Sequence, residues 1–501
     1  MLQCDKKFSR FELYIYIYII YINLYGGGGK GRGVPKLNLA CCCNFLNLDC
    51  VTSCAMWSVR VLSEETVKPS SRTPPDLRTY KLSWLDQVTY IHHIPVTFFF
   101  LFPPSDAVQT LRSSLSNTLS RFYPLAGRQI GDTHVDCADQ GVDFFEARVE
   151  ARLAELLARP TPDLDFMFDL LPCSTAGCLT RADGRGSLLK VKATAFACGG
   201  LAVAACLSHA DARSLFAFFR AWAAEASGSG AAPAPDFRAA ARLPPNESAA
   251  PMKAGEEGPH APRNARKRFL LDGSKILAAA RRDSPASERA EAVGALLWRC
   301  ALRARARLGA PARASVCSPQ VDLRGRLDPP APHHAFGNHC VMSGAAATAE
   351  EVSKVVGGDA SASGALEEEL RRAEKKVGGE FVRRLQGPEG HAAAYQLVGE
   401  AVRGSGGAAT GFDLYFLSDW LDLPAYDVDF GWGTPAWVGY SRTKAKNLML
   451  LMPAAPSVGD PTAVEAWVAL EEKELEEFER DEELASFLVA ASSEPLPVRE
   501  A

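Results

Sequence analysis

Apolar and polar positions alternate between strand-like and helix-like periods along most of the chain. From Val96 to Phe102 the run VTFFFLF predicts a buried strand, closed by Pro103-Pro104, with Ser105 placed to cap the helix that follows. Val108, Leu111, Leu115, Leu119 and Phe122 then recur at helical spacing until Tyr123-Pro124 and Gly127 end the element. Leu189, Val191, Ala193 and Ala195 alternate with other residues up to Gly199-Gly200, and a second apolar stretch runs from Leu201 to Ser208. This pattern predicts two strands joined by a glycine turn. By the period of two, His209 shares a face with Leu201, Val203, Ala205 and Leu207, so its imidazole is expected where a row of apolar side chains runs out. Leu215, Phe218, Phe219 and Trp222 follow at i, i+3, i+4, i+7, an amphipathic helix packing back on the sheet.

Seven prolines (Pro233, Pro235, Pro244, Pro245, Pro251, Pro259 and Pro262) fall between Ser227 and Arg268. Residues 227–268 therefore read as a crossover linker between an N-terminal domain, 56–226, and a C-terminal domain, 269–501. The basic end of that linker, Arg263 to Arg268, reads first as a solvated face and second as a contact for an anionic ligand. The C-terminal half opens with Phe269 to Arg282 and an apolar helix from Ala292 to Ala301. Val464 to Val468 alternates like a strand, and Leu475, Phe478, Leu484 and Phe487 stripe one acidic helix. No internal repeat is present.

With 501 residues, 47% of them apolar, the chain is long enough for two or three domains with hydrophobic cores. A net charge of -4 provides no field to gather nucleic acid or an anionic membrane, which excludes a polyanion partner. The longest uninterrupted apolar run, Leu13 to Ile22, is about half of what a helix needs to cross a bilayer. Residues 1–55 differ from the rest: YIYIYIIYINLY, then GGGGKGRG, then CCC. They are expected to lie outside the fold as a disordered leader, with Met56 as the working start; the alternative is a targeting segment opened by Lys6, Lys7 and Arg10. Gly26, Gly28 and Gly31 spell a dinucleotide-binding GxGxxG there. Gly33 and Pro35 interrupt the helix that such a motif requires. Of 14 cysteines, six precede Met56, and the remaining eight have no metal-ligand spacing, so a reducing, cytoplasmic setting is expected.

His209-Ala210-Asp211 at a strand-to-helix junction reads either as a structural histidine satisfied by its neighbours or as a general base, the usual task of a group titrating near neutrality. No serine nucleophile accompanies it. The nearest approach to GxSxG, Gly439-Tyr440-Ser441, ends in Thr443. No metal-binding trio of histidines and carboxylates occurs either.

Five segments in order resemble the plant BAHD (HXXXD-type) acyltransferase family: VKPSSRTPPDLRTYKLSWLDQ (Val67 to Gln87), SRFYPLAGR (Ser120 to Arg128), CGGLAVAACLSHADARSL (Cys198 to Leu215), VDLRGRLDPPAP (Val321 to Pro332) with FGN (Phe336 to Asn338), and DFGWG (Asp429 to Gly433). The resemblance covers essentially Met56 to the C-terminus. The opening segment and EAWVALEEKELEEFERDEEL (Glu465 to Leu484) are most similar to the subgroup of acetyl-CoA-dependent alcohol acetyltransferases. The resemblance implies an α/β fold of two similar-sized domains, each a mixed β-sheet flanked by helices, with a channel at their interface. A segment near 428–453 is expected to cross back to the first sheet. An acyl-CoA, preferably acetyl-CoA, is the implied co-substrate and the hydroxyl of a small plant metabolite the implied acceptor, in a monomer with no permanently bound cofactor and no metal. His209 corresponds to the general base, and Ser418 with Trp420 to groups near the oxyanion. Asp211 is expected to pair with Arg324 or Arg326 in structural support, a role shared by Asp429, Gly431, Trp432 and Gly433.

One departure stands out. Where the family has HxxxD, this chain has HxD, two residues short, which removes up to about 7 Å of reach. The helix anchored by Asp211 is then expected to pull His209 out of place. That leaves a second reading beside the transferase: an impaired relative that binds CoA or acceptor without turnover. The failed glycine and serine motifs leave little room for a dehydrogenase or hydrolase.

Overall fold

A computed structural model describes residues 57–89, 94–158, 164–172, 187–230, 232–246, 264–279, 286–440 and 446–489. The leader 1–55 with its GxGxxG, Cys173 and Cys178, and Ser441 with Thr443 lie outside the described residues. In chain order the first eight strands are β1 (Val59–Val67), β2 (Thr79–Lys81), β3 (Ile94–Phe100), β4 (Arg128–Ile130), β5 (His134–Asp136), β6 (Val142–Val149), β7 (Leu189–Phe196) and β8 (Leu201–Leu207). The next eight are β9 (Asn264–Leu271), β10 (Ala314–Asp322), β11 (Cys340–Met342), β12 (Ala345–Ala347), β13 (Phe412–Asp419), β14 (Trp437–Gly439), β15 (Leu448–Pro453) and β16 (Val464–Glu471). The helices around them include α1 (Trp84–Thr89), α2 (Ala107–Arg121), α3 (Ala212–Ala226), α4 (Ala286–Arg307), α5 (Glu472–Glu479) and α6 (Glu482–Phe487).

Continuous burial along β3, β7 and β8 places them in the middle of a mixed six-stranded sheet ordered β1-β6-β7-β8-β3-β14. Helices α2 and α3 pack together, with Phe219 of α3 against Phe98 of β3, ring centroids 4.4 Å apart. The Trp222 indole N–H donates to the Leu111 carbonyl at 3.2 Å, so this large ring is buried without an orphan donor. A second mixed sheet runs β11-β10-β13-β15-β16-β9 with β12 beside β10, and Trp298 of α4 bonds Ser315 of β10 at 2.9 Å. A small third sheet, β2-β5-β4, lies off the first.

Two devices tie the halves together. Strand β14 belongs by sequence to the second half yet pairs antiparallel with β3, placing Trp437 opposite Phe99 with their rings stacked at 5.1 Å. From there the Trp437 indole N–H donates to Glu465 of β16 at 3.1 Å, and Arg268 of β9 pairs with the same buried carboxylate at 3.2 Å. On the opposite side, Trp84 of α1 sits in a cluster with Val321, Leu323, Phe381 and Leu385, its N–H donating to the Leu385 carbonyl at 3.1 Å.

DFGWG forms the turn that delivers β14. The Asp429 carboxylate accepts the backbone N–H of Gly431 at 2.8 Å and of Gly433 at 2.9 Å, and both glycines have positive φ, 102° and 99°. Phe430 and Trp432 stack at 5.4 Å, and Phe430 meets Trp222 at 5.1 Å, which locks the turn onto α3.

Four expectations change. Helix α2 starts at Ala107 with Asp106 in the N-cap position, so Ser105 does not cap it. Strand β9 already begins at Asn264, so the crossover is shorter than 227–268; Arg266, Lys267 and Arg268 are strand residues. The reason is that β9 is an edge strand, where charged side chains are normal protection and hide the period of two. The acidic helix is in fact two, because Asp481 breaks it by accepting the backbone N–H of Glu483 and Leu484 as an N-cap. Finally, strand β8 stops at Leu207, and His209 adopts φ 56°, so the strand period does not carry through to it.

A Cβ on Gly433 meets nothing within 4 Å, so any cost of adding one is backbone strain alone. Gly433→Ala is expected to lower unfolding free energy by about 1–3 kcal/mol, read as a shift in urea midpoint at constant m-value.

Candidate active site

A single residue, Ala210, separates His209 from Asp211, whose position is fixed from two sides. Asp211 is the N-cap of α3, its Oδ1 accepting the Ser214 N–H at 2.9 Å, and it is also one half of a bidentate ion pair. Arg324 Nη1 donates to Asp211 Oδ2 at 2.8 Å and Nη2 to Oδ1 at 2.9 Å, with both residues at most 4% exposed. The His339 backbone N–H is a further donor, to Asp211 Oδ2 at 2.9 Å. Burial works to raise the Asp211 carboxyl, but the Arg324 guanidinium and these donors hold it well below the usual carboxylate range. Of the two arginines considered from sequence, Arg324 is the partner. Arg326 instead pairs with Glu374 and donates to the Glu374 and Val377 carbonyls.

Arg324 is itself fixed by the Ala335 carbonyl at 2.9 Å and by Asp322 at 3.0 Å. The FGN turn closes around the same point: the Gly337 carbonyl accepts from Ser214 Oγ at 2.8 Å, and the Asn338 N–H donates to Asp86 Oδ1 of α1 at 2.6 Å. Residues 83–86, 209–214, 322–324 and 335–339 thus meet at one buried polar junction.

His209 is folded into this junction and only 5% exposed. Its Nδ1 lies 3.3 Å from the Asp86 main-chain carbonyl and its Nε2 lies 3.0 Å from Gln129 Oε1 on β4. Burial pushes the imidazole down to about 4, against the opposing pull of the Asp86 carbonyl, so the ring is neutral at pH 7 and a weaker base than free imidazole. Asp86 goes the other way: burial raises its carboxyl to about 7 in spite of hydrogen bonds from Asn338 and Ser83.

Beside the junction lies a cavity of about 280 Å³ between the start of α3, the end of β10 and the end of β13. Asp211, Arg324, Arg326 and Trp420 line it, together with Gln320 and Asp322; His209 and Ser418 do not. Ser418 Oγ nevertheless reaches this wall, lying 2.9 Å from Gln320 Oε1 and accepting the Trp420 indole N–H at 3.1 Å. The DFGWG residues stand apart, packed on α3 and β3. Sequence reasoning singled out neither Gln129 nor Asp86 as site residues. Asp86 and Asn338 fall in the SWLDQ and FGN segments, whereas Gln129 sits one residue past SRFYPLAGR, and no spacing links it to a histidine 80 positions away.

Because the folded ring holds its proton less well than free imidazole, an NMR titration of the ring nitrogens is expected to place the His209 midpoint near pH 4 instead of about 6.5.

Comparison with known proteins matches this architecture over nearly its whole described length. Residues 57–485 match the Transferase family. Akuammiline synthase 1 of Alstonia scholaris is 34% identical over 443 residues, covering 85% of this chain and 97% of that protein. Stemmadenine O-acetyltransferase of Catharanthus roseus is 33% identical over 435 residues, covering 83% and 95%. The crystal structure of vinorine synthase has a TM-score of 0.70 and 31% identity, covering 86% of this chain and 98% of that one. With the two mixed sheets, the buried Asp211–Arg324 pair and the cavity between them, the chain belongs to the Transferase family of BAHD acyltransferases, enzymes that move acyl groups other than aminoacyl groups from a CoA thioester.

Proposed function

We propose that the chain transfers an acyl group, most simply acetyl from acetyl-CoA, to a hydroxyl of a small plant metabolite, with His209 as general base and no covalent acyl-enzyme. One observation carries this reading: the His209 imidazole sits at the buried junction of the segments 83–86, 209–214, 322–324 and 335–339, and that junction borders a cavity walled by both halves. In the proposed step the acceptor hydroxyl gives its proton to the imidazole as its oxygen bonds to the thioester carbonyl carbon. Collapse of the tetrahedral intermediate breaks the C–S bond, and the imidazolium returns the proton to the departing thiolate. Ser418 is the proposed oxyanion donor, freed when its hydrogen bond to Gln320 is given up, with the Trp420 N–H holding its oxygen in place. One copy of the chain supplies His209, Asp211, Arg324 and Ser418, so the proposed step calls for no second subunit, and the reading keeps the monomer and cytoplasmic setting expected from the sequence.

A second reading is favoured by the turn itself. His209 has a left-handed backbone, both ring nitrogens contact protein groups, and the ring is absent from the cavity wall, as suits a relative whose shortened motif no longer aims its base. A misplacement of about 1 Å in a catalytic group costs on the order of a hundredfold in rate.

Free-thiol release from acetyl-CoA with a panel of alcohols separates the two. For a working transferase, activity in the parent chain drops at least about a hundredfold in His209→Ala. For the impaired relative, the parent chain is silent, and inserting two residues after His209 raises activity well above it. Equal activity in parent and His209→Ala contradicts the assignment of the base.

A further inference from the structure

Two hydrogen-bond acceptors face the ring nitrogens of His209. The Asp86 carbonyl faces Nδ1, and Gln129 Oε1 faces Nε2. The orientation of the Gln129 amide is fixed by its other end, because its N–H donates to the Gly131 carbonyl at 2.9 Å and leaves the oxygen turned toward the ring. A neutral imidazole has a single N–H to share between them. The shorter contact, 3.0 Å against 3.3 Å, is the one to Gln129, a residue only 9% exposed.

The two nitrogens differ in what can reach them. Nδ1 lies against a main-chain carbonyl of α1, and Asp86 is anchored there by Ser83 and Asn338, so no acceptor hydroxyl takes that place without unseating the helix. Nε2 is covered by a side-chain amide with rotatable bonds. It is therefore the nitrogen at which an incoming hydroxyl gives up its proton, and it needs a lone pair there. Hydrogen bonding to Gln129 puts a proton on that nitrogen instead.

Resting on the reading of His209 as the base, we infer that Gln129 is a positioning residue that restrains it: its amide oxygen holds the imidazole in the Nε2–H tautomer, and turnover requires Gln129 to turn away so that the proton passes to Nδ1 and the Asp86 carbonyl. In Gln129→Leu, of similar size and without an acceptor, the Asp86 carbonyl is the remaining one of the two, and the resting tautomer becomes Nδ1–H with the lone pair on Nε2.

The test pairs spectroscopy with kinetics on the full chain. Ring-nitrogen NMR, with the His209 signals assigned by their loss in His209→Ala, is expected to show the proton on Nε2 in the parent and on Nδ1 in Gln129→Leu. With acetyl-CoA and an accepted alcohol, kcat is expected to rise about two- to tenfold in Gln129→Leu, the fold-change that one net hydrogen bond represents, with KM for acetyl-CoA unchanged. Gln129→Met serves as a second variant should the leucine not fold. A proton on Nδ1 in the parent, or one that stays on Nε2 in both variants, overturns the inference, as does a fall in kcat in a folded variant. Should His209→Ala match the parent in rate, the base reading fails by itself; the NMR result then still decides whether Gln129 sets the tautomer.

Discussion

Everything around the candidate site hangs on one buried ion pair, Asp211 with Arg324. Taking a carboxylate and a guanidinium out of water carries a penalty of several kcal/mol per ion, offset here by two parallel hydrogen bonds and by further partners on each side: Ser214 and His339 on the aspartate, Ala335 and Asp322 on the arginine. Such a pair contributes position more than net stability. It pins the start of α3 from the first sheet to the end of β10 in the second, and any loop that enters α3 must arrive at that fixed point. Only Ala210 stands between His209 and that point, and the His209 backbone is in the left-handed region.

A second constraint fixes how the halves face each other. The buried Glu465 carboxylate has Trp437 and Arg268 as partners, so β14, β16 and β9 are joined at one charge, and the stacked Phe99, Trp437 and Trp467 rings extend that joint from one sheet to the other. DFGWG lies at this joint: its glycines make the turn that lets β14 reach β3. The cavity between β10, β13 and α3 has the buried Asp211–Arg324 pair in its wall.

Much of the fold was legible because burial leaves a pattern. β3, β7 and β8, with α2 and α3, are nearly all apolar on the inward face, and periodicity finds them. β9 was hidden because an edge strand with Arg266, Lys267 and Arg268 has no apolar alternation to read, and proline-rich sequence just before it looked like more of the same linker. The site was legible in part for a different reason. The HxD spacing is read off the sequence and the pairing of Asp211 with an arginine is implied by resemblance, whereas the choice of Arg324 over Arg326 comes only with the structure, since both lie in one short segment and differ in their partners. Gln129 was invisible because its role is a contact between a short strand and a turn 80 residues later, with no local signal in either.

The claim on which this account turns is that Asp211 and Arg324 act as one unit holding the His209 turn. A double-mutant cycle of Asp211→Asn and Arg324→Met, followed by urea unfolding, measures it directly. Each single change leaves a buried charge or polar group without its partner and is predicted to cost about 3–5 kcal/mol, with the double variant less damaged than the sum by at least about 1 kcal/mol. Additive losses, or single changes costing under about 1 kcal/mol, would contradict it.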